Sequence, residues 1–333
     1  MTAPLADLLV DMPAPDTAAA AAIAERAGRV LRPPGALARL DEIAVHVGAW
    51  QRTASPRVEH PAIVVFAADH GVAAAGVSAF PADVTASMLA AVEAGRATIN
   101  VFAGATGASV EAVDVGVGRP TGDIRVEPAM DRERYAEAVR AGADAVDRSA
   151  AGGADLLVVG ELGIGNTTAA AAIVTATTGA DPADVVGRGT GVDDDGLGRK
   201  IDAVTAAVAR IRPAAGPDEV MREVGGAELA AMAAAIARAR HRRLPVLLDG
   251  FLAGAAAVVL AAAAEGALDH CLAAHHSSER GHRLVLDHLG LTPIVDLDLR
   301  LGEGSGAAVV IPIVAMACAG VVEVPTFEEW FGS

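Results

Sequence analysis

A glycine-rich turn, Gly160 to Gly165, lies between an apolar run and an alanine-rich segment. The apolar run, Leu156 to Val159, is typical of a buried strand, and the segment after the turn is typical of a helix with Asn166 or Thr167 as its N-cap. Glycines let the backbone turn tightly and approach a ligand without a Cβ in the way. A strand, a glycine turn and a helix N-terminus direct N–H groups and the positive end of a helix dipole at one point. The segment therefore predicts an anion site, most often for phosphate.

Two well-known phosphate loops do not match this turn. A dinucleotide-binding loop needs G-x-G-x-x-G, whereas the glycines here follow the order G-x-x-G-x-G. The ATPase loop needs a lysine after its last glycine, and Asn166 stands at that position. Without that ammonium group a monophosphate is a better prediction than a triphosphate, and an ordinary tight strand-to-helix turn is the alternative.

Glu303 is a candidate for a catalytic base. It lies in the segment Gly302-Glu-Gly-Ser-Gly306, after a predicted strand and before a predicted helix. A carboxylate between glycines can approach a ligand closely, and partial burial would raise its pKa toward a value suited to base catalysis. A carboxylate that serves only the helix dipole is an equally good interpretation from spacing alone.

Other polar groups carry weaker signals. Glu161 would repel a phosphate, so we expect it to accept hydrogen bonds and hold its turn in shape. Asp69-His70 is more typical of a structural pair, and the segment His275–His282 of a hydrogen-bonded loop, since it lacks the ligand spacing of a zinc site. The acidic run Asp193–Asp195 suits a helix N-terminus better than a metal. Lys200 or Arg199 could supply a cation to the phosphate, with exposed surface charge as the alternative.

The elements that would position these groups follow from hydrophobic periodicity. Two N-terminal helices, 16–31 and 36–50, join at Arg32-Pro-Pro-Gly35 without a preceding strand. Predicted strands alternate with helices along the rest of the chain. The strands are expected at 62–68, 109–113, 156–159, 245–248, 271–274 and 293–297, and the helices at 83–103, 132–148, from 167, from 197, 226–240 and from 307.

Nearly every predicted strand ends in polar residues or glycine. In open parallel sheets with crossover helices, ligands bind outside the carboxyl ends of the strands. We therefore predict a doubly wound, mostly parallel Rossmann-like α/β sheet with helices on both faces and the site at that edge. The strand-end residues are Asp69-His70, Asp114, Gly160-Glu161, Asp249-Gly250, His275-His276 and Glu303.

Composition excludes several classes of partner. The chain has 333 residues, 53% of them hydrophobic, and a net charge of −16, which argues against nucleic acid and anionic membranes. Two cysteines, Cys271 and Cys318, fit a reducing compartment, and Met1 is followed by no signal-peptide pattern, so we expect a cytoplasmic protein. The long apolar stretches 250–264 and 304–322 are expected to be buried helices of a soluble protein.

Several of these motifs together resemble one family, the nicotinate-nucleotide–dimethylbenzimidazole phosphoribosyltransferases of cobalamin lower-ligand assembly. The resemblance extends from about residue 30 to the C-terminus. The matching segments are Arg32–Gly35, Phe66–Val72, Gly76–Pro81, Gly160–Thr168, Val186–Gly191, Leu248–Phe251, His275–His282 and Leu299–Gly306.

The resemblance implies an architecture and a reaction. A large α/β domain, 59–306, would carry the active site, and a small helical domain would combine 1–58 with 307–333, in a homodimer without metal or cofactor. A ring nitrogen of 5,6-dimethylbenzimidazole would attack the anomeric carbon of nicotinate mononucleotide, releasing nicotinate and giving α-ribazole 5′-phosphate with inversion. Glu303 would be the general base.

The resemblance also assigns binding residues. The nucleotide and its phosphate would contact Glu161, Gly163, Ile164, Gly165, Asn166, Thr167, Gly189, Thr190, Gly191 and Lys200. The base would contact Ser78, Phe80, Ser87, Met88 and Leu301. Phe80 stands where members often have tyrosine and Ser87 where some have glutamine, so the preferred base is open between benzimidazoles, purines and phenols. A nicotinate-nucleotide hydrolase and a non-catalytic nucleotide-binding protein are further alternatives.

Overall fold

The computed structural model describes residues 5–212 and 215–332. Within these residues the main sheet has five strands, all parallel, in the order β2-β1-β3-β4-β5. Such an order, with helical crossovers, is a doubly wound arrangement whose direction of winding reverses beside β1 and β3. The predicted fold class is confirmed. The strands are Pro61–Ala68 (β1), Ser109–Gly116 (β2), Leu156–Leu162 (β3), Val246–Leu248 (β4) and Cys271–Ala273 (β5).

Alternate residues of the central strands enter two separate cores. Val64 and Phe66 of β1 pack into the core on one face of the sheet, while Ile63 and Val65 pack into the core on the other. Because side chains alternate across a strand, a strand covered by helices on both faces is apolar throughout. This explains why β1 and β3 are buried at every position.

Helices cover both faces of the sheet, and a pair of N-terminal helices packs beside it. Short 3-10 helices occupy Leu5–Leu9 and Gly71–Ala75. The α-helices are Thr17–Ala27 (α1), Ala38–Gln51 (α2), Val84–Glu93 (α3), Thr98–Thr106 (α4), Arg132–Ala151 (α5), Asn166–Thr178 (α6), Pro182–Val185 (α7), Asp194–Ala209 (α8), Pro217–Val224 (α9), Ala227–His241 (α10), Gly250–Ala263 (α11), Gly281–Leu289 (α12), Ser305–Val322 (α13) and Phe327–Phe331 (α14).

A second, smaller sheet corrects the prediction that all strands join one sheet. The chain leaves the main sheet after β5, and His275–Ser277 (β6) pairs in parallel with Val295–Leu299 (β7). The N–H of Ala274 still donates to the carbonyl of Leu248, 3.1 Å away, so β6 continues from the main sheet with a change of partner. Residues from both sheets therefore reach the same cavity.

Several predicted helix boundaries were wrong. The helix expected over 83–103 is two helices, α3 and α4, because the chain breaks around Gly95, which has a φ of +71°. Helix α6 begins at Asn166, and its N-cap is Gly165, which has a φ of +94° and offers no side-chain cap. Helix α9 was not predicted at all. Asp193 caps α8 as the acidic run suggested, through a hydrogen bond from the N–H of Gly196.

The apolar helix α13 is a packed element of the fold. It has 18 residues with a mean hydropathy of 2.2, and 56% of them are buried. By length and composition it could cross a membrane, yet it packs against α2 and α4. Arg26 of α1 donates to the carbonyl of Val321, 2.8 Å away, which ties the two chain ends together.

The expected domain boundary at 306/307 falls within the first turn of α13, and the division into two domains stays a prediction.

Candidate active site

A cavity of about 360 Å³ opens at the carboxyl ends of β3, β4 and β6. The strand-end pattern predicted a ligand site at this edge. Of the strand-end residues, Asp69, His70 and Asp114 do not line the cavity. The predicted site residues that line it are Phe80, Met88, Glu161, Gly163, Ile164, Asn166, Thr167, Gly189, Thr190, Leu301 and Glu303. Ser78, Ser87, Gly165, Gly191 and Lys200 lie outside its lining.

The predicted anion site forms one wall of the cavity. The turn places Gly165 in the left-handed region, and α6 starts at the next residue. The N–H of Ile164 donates to Thr85 Oγ1, 3.1 Å away, which fixes the turn on α3. The N-terminus of a 13-residue helix therefore meets the cavity beside Gly163 and Thr167. That arrangement favours a bound anion.

Lys200 supplies a buried cation behind this wall. Its Nζ donates to Thr167 Oγ1, 2.9 Å away, and an ideal Cβ on Gly189 would lie 2.9 Å from both atoms. The lysine is 1% exposed, and burial lowers the pKa of its ammonium group to about 8. The second glycine loop thus lets a desolvated ammonium group approach the helix N-terminus. Arg199, the other candidate cation, instead donates to the carbonyl of Gly76.

Glu303 lies on the cavity wall in an unusual backbone conformation. Its φ is +63°, between Gly302 at +88° and Gly304 at +83°, so three successive residues occupy the left-handed region. Only glycine adopts that region without a steric cost. The N–H of Ile99 donates to Glu303 Oε2, 3.3 Å away. Burial raises the pKa of the Glu303 carboxyl, and the nearby charge of Asp249 adds to the rise.

Glu161 is buried against the glycine turn. Its side chain accepts a hydrogen bond from Asn166 Nδ2, and its carbonyl accepts the N–H of Glu303, 3.2 Å away. Burial, with the neighbouring carboxylates Glu228 and Asp249, raises the pKa of Glu161 to about 8. The raised pKa favours the uncharged form of Glu161 and so weakens the expected repulsion of an anion. The hydrogen-bonding part of the prediction for Glu161 is confirmed.

The residues expected to contact the base lie in two different settings. Phe80, Met88 and Leu301 line the cavity, and the side chains of Phe80 and Leu301 are about half exposed at its mouth. Ser78 Oγ lies 3.2 Å from Thr190 Oγ1 and so joins two loops at the rim. Ser87 Oγ donates to the carbonyl of Asp83 on the exposed side of α3. The cavity mouth is therefore apolar, with few polar groups from α3.

Known proteins share both the sequence and the fold. A family model described as phosphoribosyltransferase matches residues 12–330. The nicotinate-nucleotide–dimethylbenzimidazole phosphoribosyltransferase of Ruegeria pomeroyi is 49% identical over 323 residues, which cover 97% of this chain and 95% of that protein. This chain belongs to that phosphoribosyltransferase family. The enzyme of the same name from Methylorubrum extorquens is 49% identical over 319 residues, covering 95% of this chain and 92% of the relative.

Solved structures of the family share the fold over nearly the full length. The crystal structure of CobT from Thermus thermophilus matches with a TM-score of 0.91 and 43% identity, covering 94% of this chain and 98% of that one. A structure of nicotinate-nucleotide–dimethylbenzimidazole phosphoribosyltransferase from the same organism matches with a TM-score of 0.90 and 41% identity, covering 96% and 99%. The family resemblance inferred from the sequence motifs is confirmed.

The cavity also contains polar residues for which no binding or catalytic role was predicted. Asp249 follows β4, and its carboxylate accepts the N–H groups of Gly304 and Ala307. Glu279 and Arg300 line the cavity, and Arg300 donates to the carbonyl of Gly189. The strand-end pattern placed Asp249 at this edge of the sheet but assigned it no role. Glu279 offered no such signal, because its approach depends on the small sheet of β6 and β7.

The remaining histidine motifs are hydrogen-bonded, as expected. His70 Nε2 lies 2.7 Å from Glu228 Oε1 in a fully buried pair outside the cavity lining, while Asp69 accepts the N–H of Gly118. His282 Nδ1 accepts the N–H of Ser277, and His276 Nδ1 lies 3.2 Å from Asp296 Oδ2. These groups hold loops and strand ends together.

Proposed function

We propose that this protein transfers the phosphoribosyl group of nicotinate mononucleotide to 5,6-dimethylbenzimidazole. The products are α-ribazole 5′-phosphate and nicotinate. Family membership and the names of its relatives support the reaction class. The observation that carries the proposal is a single cavity lined both by a helix-terminal anion site and by the buried carboxylate of Glu303. Phosphoryl-sugar binding and base catalysis need these two features together.

The chemical step is a displacement at the anomeric carbon. One ring nitrogen of the benzimidazole forms a bond to C1′ as the bond from C1′ to the nicotinate nitrogen breaks. Attack from the face opposite to nicotinate inverts the configuration from β to α. The N–H proton of the acceptor base passes to Glu303, whose raised pKa makes its carboxylate a stronger base than an exposed one.

The 5′-phosphate is assigned to the N-terminus of α6. Gly163, Ile164, Asn166 and Thr167 supply the turn, and the ammonium group of Lys200 supplies positive charge through its position beside Thr167. Four more of the predicted nucleotide-binding residues shape the backbone around the phosphate: Gly165, Gly189, Thr190 and Gly191. Holding the phosphate fixes C1′ relative to Glu303, and such positioning accelerates a two-substrate reaction.

The acceptor base is assigned to the apolar mouth of the cavity. Phe80, Met88 and Leu301 offer apolar contacts there. Ser78 lies on the adjoining loop, next to Thr190, and Ser87 lies on α3. Apolar contacts discriminate weakly between flat heterocycles of similar size. Other benzimidazoles, purines and phenols are therefore competing acceptors.

Three further properties belong to the same proposal. The enzyme is cytoplasmic, which suits two unbridged, buried cysteines, Cys271 and Cys318.

It is a homodimer with a large α/β domain and a small helical domain. Exposed aromatic side chains on α14, Phe327, Trp330 and Phe331, support an association surface near the chain ends. Light scattering on the purified protein measures the dimer directly.

A product assay tests the proposed reaction. The protein is incubated with nicotinate mononucleotide and an equimolar panel of benzimidazoles, adenine and phenols, and products are identified by mass. We expect a dimethylbenzimidazole riboside phosphate as the main product and none in the absence of the acceptor. Ribose phosphate with nicotinate in the absence of any base would favour a nucleotide hydrolase. Nucleotide binding without any product would favour a non-catalytic binding protein.

A further inference from the structure

The left-handed conformation of Glu303 needs support from its surroundings. A non-glycine residue with a positive φ is sterically disfavoured and persists where neighbouring groups fix it. Glycines on both sides of Glu303 lower the cost of the turn, yet they also leave it free to adopt other conformations. Contacts from outside the segment must therefore select the conformation that directs the carboxylate into the cavity.

Asp249 makes two of these contacts, in addition to the bond from the N–H of Glu303 to the carbonyl of Glu161. Its Oδ2 accepts the N–H of Gly304, 3.0 Å away, and its Oδ1 accepts the N–H of Ala307, 2.8 Å away. The first donor is the residue after Glu303, and the second lies in the first turn of α13. A carboxylate that accepts N–H groups at a helix N-terminus satisfies donors that have no partner within the helix. Asp249 is 6% exposed, so these bonds are shielded from water.

His275 supports Asp249 from the small sheet. Its Nε2 lies 3.3 Å from Asp249 Oδ1, and both side chains are 4% exposed. The ring fits into a slot in the backbone of α13, because an ideal Cβ on Gly306 would collide with Nε2. Burial disfavours the charged imidazole, but the Asp249 carboxylate outweighs it and raises the pKa of His275. A protonated His275 would offset the buried negative charge.

Other titratable groups surround this pair. Asp249 lies within electrostatic range of the carboxylates of β3 and of the α13 turn. His275 is influenced by groups from β6, β7 and α12. The groups concerned are Glu161, Glu303, His276, Asp296 and His282.

From this arrangement we infer that Asp249 and His275 are positioning residues that hold the backbone of Glu303 in its catalytic conformation. The inference rests on the proposed role of Glu303 as the base. Asp249 acts through the backbone of Gly304 and Ala307, and His275 acts through Asp249. The pair thereby links the end of the main sheet and the start of the small sheet to the reacting atoms.

The test uses Asp249→Asn, His275→Gln and a matched control, His276→Gln. Asparagine can accept one of the two N–H groups but not both, and glutamine removes the positive charge. We expect the single-turnover rate to fall about tenfold or more in D249N and about threefold or more in H275Q, with nucleotide KM within about threefold. His276 lies on the same strand as His275 but pairs with the half-exposed Asp296, so H276Q should retain the rate within about twofold.

A pH profile separates positioning from a general loss of structure. The Asp249 charge raises the pKa of Glu303, so its removal in D249N should shift the acid limb of the rate profile to lower pH. Loss of the compensating imidazolium in H275Q should shift the same limb to higher pH. Opposite shifts from two variants that both lower the rate are not expected from unfolding. Rates within twofold of wild type and unshifted profiles in both would overturn the inference.

A third variant keeps both ionisable side chains. Gly306→Ala would displace the His275 ring from its slot, so we expect a rate loss like that of H275Q with folding retained by circular dichroism. A wild-type rate in folded G306A would contradict the claim that the position of the His275 ring beside Gly306 affects the rate. If wild-type protein forms no riboside product, the proposed function fails. If wild type is active and all three variants match it, the positioning role alone fails.

Discussion

The Cα of Gly160 packs directly against the peptide group that joins Glu303 to Gly304. An ideal Cβ on Gly160 would lie 2.5 Å from the Glu303 carbonyl oxygen and 2.6 Å from the Gly304 nitrogen. Gly160 lies inside β3, where it pairs with Val65 of β1. The glycine is therefore required by a close approach between the main sheet and the Glu303 turn, and not by the phosphate turn that follows it.

Gly160→Ala should consequently impair the rate more than nucleotide binding. The added methyl group must push the Glu303 turn away from β3, and a displacement of about 1 Å can cost about 100-fold in rate. We expect kcat to fall at least about tenfold with nucleotide KM little changed. Gly198→Ala is the control, because no atom beyond the neighbouring backbone of its own helix lies within 4 Å of the ideal Cβ of that glycine. Equal kcat values for the two variants would contradict the claim that the packing of Gly160 against the Glu303 turn is needed for the rate.

Replacement of Glu303 by glutamine tests whether this residue is the general base. The neutral amide of E303Q cannot take the acceptor proton, so we expect kcat to fall by roughly two or more orders of magnitude. Isothermal calorimetry should show nicotinate mononucleotide binding within a few-fold of wild type. The wild-type rate should rise with pH through a pKa above 4.5, since the base must be ionised, and that rise should be absent in E303Q. Unchanged turnover in E303Q would rule out Glu303 as the base.

Lys200 should control nucleotide affinity in a pH-dependent way. Its pKa of about 8 lies below the usual 10.5, so the ammonium group loses its proton as pH rises through 8. We expect nucleotide KM of wild type to increase above pH 8. Lys200→Met should raise KM about tenfold at pH 7, within the range expected for loss of a charged hydrogen bond, and remove this pH dependence. Arg199→Met is the control, since Arg199 bonds to Gly76 instead, and its KM should stay within about twofold.

Glu161 should make the fold less stable as pH rises. Its folded pKa of about 8 exceeds the ordinary 4.5, so the folded state holds a proton that the unfolded state has already released between these values. The free energy of unfolding therefore decreases from pH 4.5 to 8. Glu161→Gln keeps an acceptor for Asn166 without the charge. By pH 8 its melting temperature should exceed that of wild type by at least about 3 °C, with a smaller difference at pH 5. A difference in melting temperature that stays constant from pH 5 to pH 8 would contradict the raised pKa of Glu161.

Much of this architecture is local in the sequence and so could be predicted from it. The unbroken apolar run of β1 specifies a strand that is buried on both faces, and the polar residues at the ends of β3 and β4 locate the site at one edge. The glycine turn before α6 predicts an anion site without any knowledge of the fold. The glycines around Glu303 mark it as a candidate base, although the same spacing suits a carboxylate that serves only the helix dipole.

Other features depend on contacts between distant segments and could not be predicted. The move of His275 from the main sheet into β6 is decided by pairing with β7, about twenty residues later. Asp249 gained its role because the N-terminus of α13 packs onto the end of β4. The raised pKa of Glu161 depends on burial among carboxylates from other elements. Single-residue patterns carry no information about such arrangements.

The configuration of the product tests the central proposal most directly. Wild-type protein is incubated with nicotinate mononucleotide and 5,6-dimethylbenzimidazole, and the purified riboside phosphate is examined by proton NMR for the geometry at C1′. A single displacement assisted by Glu303 predicts the α-anomer, released together with one equivalent of nicotinate. A β-configured product would contradict direct attack by the dimethylbenzimidazole nitrogen on C1′. Nicotinate release without any riboside would contradict transfer of the phosphoribosyl group to dimethylbenzimidazole.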